Sequence, residues 1–216
     1  MRIFVAGAAG VIGSRVVPLL VRAGHTVIGT TRSPAGAEKV RALGAEPVVC
    51  DVYDLPALTA AVVGAAPDLV LHELTDLPDD REKLAARRGD NARIRREGTA
   101  NLLAAAAASG RPRVVAQSVA WELPPGDGAD AVATLEQAVL AVGGVVLRYG
   151  QLHGPGTYYP TGLPTGPGVH VDTAAARTAE VVEQELRLVA ADATAQAPRT
   201  SEGRVLTVVD TDLSSW

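Results

Sequence analysis

The 216-residue chain is expected to fold as an α/β protein on a doubly wound parallel sheet, and three features predict this. The first is a series of short apolar runs at residues 2–6, 25–30, 46–50, 68–72, 113–117 and 145–148, separated by segments with helical apolar spacing. Strands alternating with helices give right-handed crossovers, and so a parallel sheet. The second is Gly7, Gly10 and Gly13, set three apart between the first strand and the first helix. The third is punctuation: Gly24, Gly44 and Gly64 stand where helices should end, and Asp54 stands where one should begin.

Taken in order, helices are expected at 11–22, 34–43 and 54–63, between the first four strands. Residues 81–109 read as mostly helical, charged at first (Arg81, Glu82, Lys83, Arg87, Arg88) and apolar beyond Thr99, with breaks or kinks at Gly89 and Gly98. The arginine cluster fits a solvated helix face, since the chain carries a net charge of −4. After the fifth strand, a Pro/Gly loop at 123–128 leads to a helix at 129–141. Residues 149–169 are dense in glycine and proline and read as a long irregular segment, a candidate substrate lid. A helix from 173 to about 190, a polar and mobile stretch at 191–201, and a last strand at 204–209 complete the chain. A single domain over 1–216 is expected, with 149–216 forming a small substrate or lid portion.

Composition excludes several classes. An acidic balance gives no footing for nucleic acid. No run nears the 18 apolar residues a membrane helix needs, and no basic, apolar leader opens the chain. The lone cysteine, Cys50, rules out an internal disulfide and reads as a small core residue at a strand end. A cytoplasmic protein is expected. Arginine far outnumbers lysine (Lys39 and Lys83 are the only two) and alanine is abundant, which suits a bacterial genome of high GC content.

The glycine turn carries the chemistry. Between a strand and a helix, bare backbone lets a phosphate approach and rest on the N–H groups of the helix start. Gly7, Gly10, Val11, Ile12 and Gly13 are therefore expected to hold a dinucleotide. An NAD site usually has a carboxylate at the end of the second strand, gripping the ribose 2′-hydroxyl. Here that place reads Thr30-Thr31-Arg32-Ser33, with no acid before Glu38. A guanidinium can fork onto a 2′-phosphate that an aspartate would repel. NADP(H) is expected rather than NAD(H), with Arg32 on the phosphate and Thr31 or Ser33 assisting; the plainer account makes Arg32 a solvated loop residue. Strand ends at the carboxyl edge line such a crevice, which singles out Asp51, His72 and Glu73. Asp51 serves equally well as an N-terminal helix charge.

The segments GAAGVIG, CDVYD, EGTANLLAAAAASG, VVAQSVAWE, VVLRYGQLHGPGT, GVHVDTAAA and GRVLTVVDTDLSSW, in this order along nearly the whole chain, resemble the extended short-chain dehydrogenase/reductase family in its NAD(P)-dependent epimerase/dehydratase branch. The resemblance implies a Rossmann core with nicotinamide over the ends of strands four to six, where His72 would border it. It implies pyrophosphate on Gly7, Gly10 and Gly13, adenine beside Asp51 and Val52, and Ser118 as the active-site serine. It also implies dimerisation through two helices, here 99–108 and 129–141, though burial within one protomer would give the same apolar pattern.

The departure is in the proton chemistry. The family uses a tyrosine with a lysine four residues on, and Tyr53, Tyr149, Tyr158 and Tyr159 all lack that lysine. Counting back from Glu136, which resembles a family glutamate, puts Gly128 and Val132 at the two places. Three accounts stay open. One is an atypical NADP(H)-dependent oxidoreductase or epimerase-like enzyme acting on a small carbonyl or hydroxyl metabolite, with its proton donor among Ser118, His72, Glu73, Tyr149 and His153. For His72 backbone satisfaction, and for Tyr149 and His153 loop packing, are the plainer accounts. The others are a catalytically silent dinucleotide-binding regulator, and a non-redox cyclase or dehydratase using the same pocket. Residues 152–168 offer no charge cluster for an acid or phosphate, so a weakly charged substrate is expected over a nucleotide-sugar.

Overall fold

The computed structural model describes residues 1–78, 80–194 and 202–210. Strands β1 (Arg2–Ala6), β2 (Thr26–Thr31), β3 (Glu46–Val49) and β4 (Leu69–His72) alternate with helices α1 (Gly13–Arg22), α2 (Pro34–Ala42) and α3 (Leu55–Ala65). A 3-10 turn (Arg81–Lys83), a short helix α4 (Arg88–Arg93) and a π-helical turn (Ile94–Gly98) lead into α5 (Thr99–Ala108). Then follow β5 (Arg113–Val119), α6 (Asp127–Ala141), β6 (Val145–Tyr149), β7 (Gln151–His153), β8 (Gly168–His170), α7 (Val171–Thr194) and β9 (Arg204–Val208).

The main sheet has seven strands in the order β3-β2-β1-β4-β5-β6-β9, and every pairing in it is parallel. The order reverses at β1, and β1 and β4 are neighbours, so a crevice opens beyond their carboxyl ends. Central strands are apolar throughout because both faces are covered. Ile3 and Val5 pack with α1, α2 and α7, whereas Phe4 and Ala6 pack with α3 and α5. Helix α6 covers Val114, Ala116 and Val146 through Leu135 and Val139. This is a Rossmann fold.

Several details depart from expectation. Gly64 does not end α3, which runs on to Ala65 and closes on Ala66 in the left-handed region, φ 43°. Asp54 does cap it, accepting the Ala57 N–H at 3.0 Å. Gly89 lies inside α4 without breaking it, whereas Gly98 ends the π turn. The segment 149–169 is not wholly irregular: β7 and β8 pair in parallel as a separate two-stranded ribbon. Strand β5 runs past Gln117 to Val119, because Ser118 and Val119 pair with Arg148 and Tyr149. Of the polar stretch, 191–194 prolongs α7, and 195–201 lies outside the described residues. Among the described residues no helix is long and apolar enough to cross a membrane. Helices α5 and α6 turn Leu102, Ala105, Leu135 and Val139 inward, so burial within the protomer accounts for that much of their apolar pattern.

Candidate functional site

Strand β1 ends against a turn that only glycine permits. Gly7 has φ +94°, and a Cβ there would stand 2.6 Å from the Glu73 carbonyl oxygen. At Gly13 a Cβ would stand 2.2 Å from the Gly7 carbonyl oxygen. The turn is closed by Gly10 N–H donating to Gly7 C=O at 3.0 Å and Ser14 N–H donating to Gly10 C=O at 2.9 Å. Neither bond uses the N–H groups of Val11, Ile12 or Gly13, which lie at the positive end of α1. The Ile12 side chain is buried in the core and that of Val11 is exposed, so both offer backbone to a ligand. Lys39, on α2, donates to the Ala9 carbonyl at 2.8 Å and braces the turn.

Beside this turn lies a crevice of about 210 Å³ bordered by Gly7, Gly10, Arg32, Val52 and Glu73, among others. Arg32 stands at its rim and reaches across to Asp76, with nitrogen–oxygen distances of 3.4 and 3.5 Å. Ser33 is occupied as the cap of α2, accepting the Gly36 N–H at 3.1 Å. Thr31 packs against Gly36, where a Cβ would fall 1.9 Å from its hydroxyl oxygen. Val52 borders the crevice and its carbonyl accepts from Asn101 at 2.9 Å. Asp51 is exposed, and its carboxylate accepts the Tyr53 N–H at 3.0 Å. Cys50 is half-buried, packed against the core cluster of Phe4, Ala6 and Ile28 and also bordering the crevice. Burial and then the charges of Asp54 and Asp51 push its thiol up, which keeps it un-ionised. A glycine cradle, free amides at a helix start, an arginine at the rim and an apolar slot suit a dinucleotide.

The crevice floor holds two buried titratable neighbours with different partners. His72 is 1% exposed. It accepts the Leu74 N–H on Nδ1 at 3.2 Å, and Nε2 lies 2.8 Å from the Thr99 hydroxyl. Burial, helped by the charge of Arg95, lowers its pKa to about 4, so it is a neutral imidazole that fixes the chain leaving β4. It does not border the crevice. Glu73 does, and burial raises its pKa to about 8 against the pull of its Tyr149 bond. Its Oε1 lies 3.0 Å from the Tyr149 hydroxyl, which lies 2.6 Å from the Thr178 hydroxyl. Thr178 in turn donates to the Ala174 carbonyl at 2.7 Å. Tyr149 is the donor of the first contact, its O–H directed at Glu73 Oε1. The Glu73 Oε2 is buried and has no hydrogen-bond partner among the described residues. Burial and then the Glu73 charge raise the Tyr149 phenol well above its ordinary value, so Tyr149 keeps its proton and holds Glu73 in place.

The remaining expected site residues are apart from this floor. Ser118 is buried one residue short of the carboxyl end of β5, and its hydroxyl donates to Glu136 Oε1 at 2.5 Å. Arg148 forks onto Glu136 at 2.8 and 2.5 Å. Burial pushes the Glu136 carboxyl up, but the bonds from Arg148 and Ser118, with the charges of Arg148 and Arg95, hold it below the usual range. On α6, Gly128 is exposed and Val132 half-buried. His153 sits on the β7–β8 ribbon, 2.7 Å from Asp210 and edge-on to His170. Thus Gly7, Gly10, Arg32 and Val52 meet at one crevice, Tyr149 reaches it only through Glu73, and Ser118 and His153 face other partners. Asp76, Thr178 and Arg95 escaped the sequence reading. Arg95 lies beyond the cluster from Arg81 to Arg88 that the charge pattern reads as a solvated face, and nothing in the sequence singles it out.

Residues 3–139 match the profile of the "NAD dependent epimerase/dehydratase family". A "3-diazoavenalumate denitrifying reductase" from Streptomyces sp is 36% identical over 86% of this chain and 73% of its own length. A "4-hydroxy-2-methyl-3-oxo-4-farnesyl-3,4-dihydroquinoline-1-oxide ketoreductase" from Stigmatella aurantiaca is 35% identical over 44% of this chain and 32% of its own. The UDP-glucose 4-epimerase of Thermus thermophilus, solved in complex with NAD, superposes with a TM-score of 0.72 over 97% of this chain and 78% of its own. At 20% identity that likeness concerns the fold.

Proposed function

The chain belongs to the NAD dependent epimerase/dehydratase family, and from that premise we propose that it is an atypical NADP(H)-dependent reductase of a small carbonyl or related unsaturated metabolite. The observation that carries this reading is the crevice rim: Arg32, and no carboxylate, follows β2. The similarity to a denitrifying reductase and a ketoreductase supports reduction. A bound reduced nicotinamide would supply hydride to an electrophilic carbon or nitrogen. The N–H groups of Val11, Ile12 and Gly13 hold the diphosphate, Val52 and Asp51 border the adenine, and Arg32 exchanges Asp76 for the 2′-phosphate. Glu73, neutral near pH 7 and with Oε2 unpartnered, has the proton that the missing tyrosine–lysine pair would otherwise manage. Tyr149 positions it.

The test is titration of cofactor-stripped protein with NADPH and with NADH, followed by NADPH oxidation against a panel of carbonyl substrates. Tight NADPH binding, weaker NADH binding and turnover are expected. Failure of both cofactors to bind refutes the reading. One observation favours a second reading, a dinucleotide-binding regulator: Ser118, Tyr149 and His153 are each engaged with internal partners. NADPH binding with no turnover on any substrate of the panel would select it.

A further inference from the structure

Arg95 sits on the π-helical turn between α4 and α5. Such turns offset a helix by one residue and recur at functional sites, because they present side chains a regular helix would turn away. The turn adjoins the crevice, which Ile94 borders. The next residue, Arg96, is tied to Asp127 at the start of α6 through its carbonyl at 2.8 Å and its carboxylate at 2.6 Å. The turn is thereby tied to the start of α6.

Among the described residues, the other half-buried or buried arginines (Arg2, Arg15, Arg96, Arg113, Arg148 and Arg204) each have a hydrogen-bonding or ion-pair partner. Arg95, also half-buried, has neither. Its charge is felt by His72 at the end of β4 and by Glu136 on α6, without a bond to either. The local balance is therefore unmet. Glu136 contributes one negative charge, already forked by Arg148, and Arg95 adds a second positive one. His72 and Glu73 are neutral near pH 7. Burial lowers the Arg95 pKa, but a guanidinium stays charged throughout the ordinary pH range. A partly desolvated guanidinium with five N–H donors and no acceptor calls for an anion from outside the chain.

We propose that Arg95 is the anchor for a substrate carboxylate, placed on the π turn so that its fork receives one end of the substrate while the rest lies toward the crevice. This rests on the reductase reading and names the substrate class within it: a small carboxylic acid bearing the reducible group. It replaces the expectation of a weakly charged substrate, which was drawn from residues 152–168 alone.

The test uses the full chain, with and without NADPH, titrated by ligand-observed NMR with benzoate and cinnamate, each against its neutral amide. The carboxylates are expected to bind wild type roughly tenfold more tightly than the amides, the worth of one charge-assisted pair. Arg95→Gln should abolish that preference, Arg95→Lys should keep part of it, and Arg88→Gln, at an exposed arginine, should keep all of it. Equal affinities for acid and amide in wild type overturn the proposal, as does no binding of either up to about 10 mM in both forms of the protein. A preference that survives Arg95→Gln also overturns it. The wild-type arms decide even if a variant fails to fold. Absence of NADPH binding would refute the reductase reading alone; NADPH binding without carboxylate preference would refute the Arg95 site alone.

Discussion

Glu73→Gln should make this protein more stable at neutral pH, although it removes a group from the crevice floor. The carboxyl has a pKa of about 8 in the folded chain against 4.5 for the free group. At pH 7 the unfolded chain therefore has Glu73 ionised and the folded chain has it protonated. The unfolded state binds fewer protons, so stability falls as pH rises from about 4.5 to about 8 and levels off above that. At about 1.4 kcal/mol per pH unit, the cost at pH 7 is at most about 3 kcal/mol. Glutamine is neutral at every pH, nearly isosteric, and can accept the Tyr149 O–H on its amide oxygen, so the cost disappears. Its amide group still lacks one partner where Oε2 lacks one now, so a gain of roughly 1–3 kcal/mol is expected at pH 7. His72 acts in the opposite sense. Its pKa of about 4, against 6.5 unfolded, makes stability rise with pH over that range. In wild type the two slopes offset one another between about pH 4.5 and 6.5, and Glu73 acts alone from about 6.5 to 8. Urea unfolding followed by circular dichroism, at half-unit steps from about pH 5 to about pH 9, separates them. Wild type should be near flat and then fall, whereas Glu73→Gln should climb to about pH 6.5 and stay level. A difference between the two proteins that does not widen with pH would refute the buried, protonated carboxyl.

Other perturbations test other parts. Arg32→Ala should weaken NADPH roughly tenfold and leave NADH unchanged, measured by calorimetry; equal loss for both would remove Arg32 from the phosphate. Asp76→Asn, which frees Arg32 and removes a carboxylate from the same rim, should tighten NADPH several-fold and have little effect on NADH. Gly13→Ala puts a methyl 2.2 Å from a carbonyl oxygen, and should cost about 1–3 kcal/mol in unfolding experiments while abolishing cofactor binding. Ser118→Ala removes one of the donors to Glu136 and leaves the Arg148 fork; about 1 kcal/mol of stability should be lost, with turnover retained. A collapse of turnover at unchanged cofactor affinity would return Ser118 to the chemistry.

Sequence alone was enough for the order and type of nearly every main-sheet element and for the glycine turn that borders the crevice. Those depend on local rules: apolar runs of strand length, helical spacing, caps such as Asp54, and glycines where no Cβ fits. The ends of elements were less legible, because Ser118 and Val119 become strand only by pairing with Arg148 and Tyr149. The β7–β8 ribbon likewise exists only through pairing across residues 154–167, which have no strand signal of their own. Site chemistry was the least legible. Tyr149 and Glu73 are 76 residues apart and meet because β4 and β6 flank β5, while α7 brings Thr178 onto Tyr149. Burial then decides which groups keep their protons, and burial is a property of what packs around a residue. Arg95 makes the same point: nothing in a run of arginines distinguishes the one whose helix turn carries it to a half-buried place without a hydrogen-bonded partner.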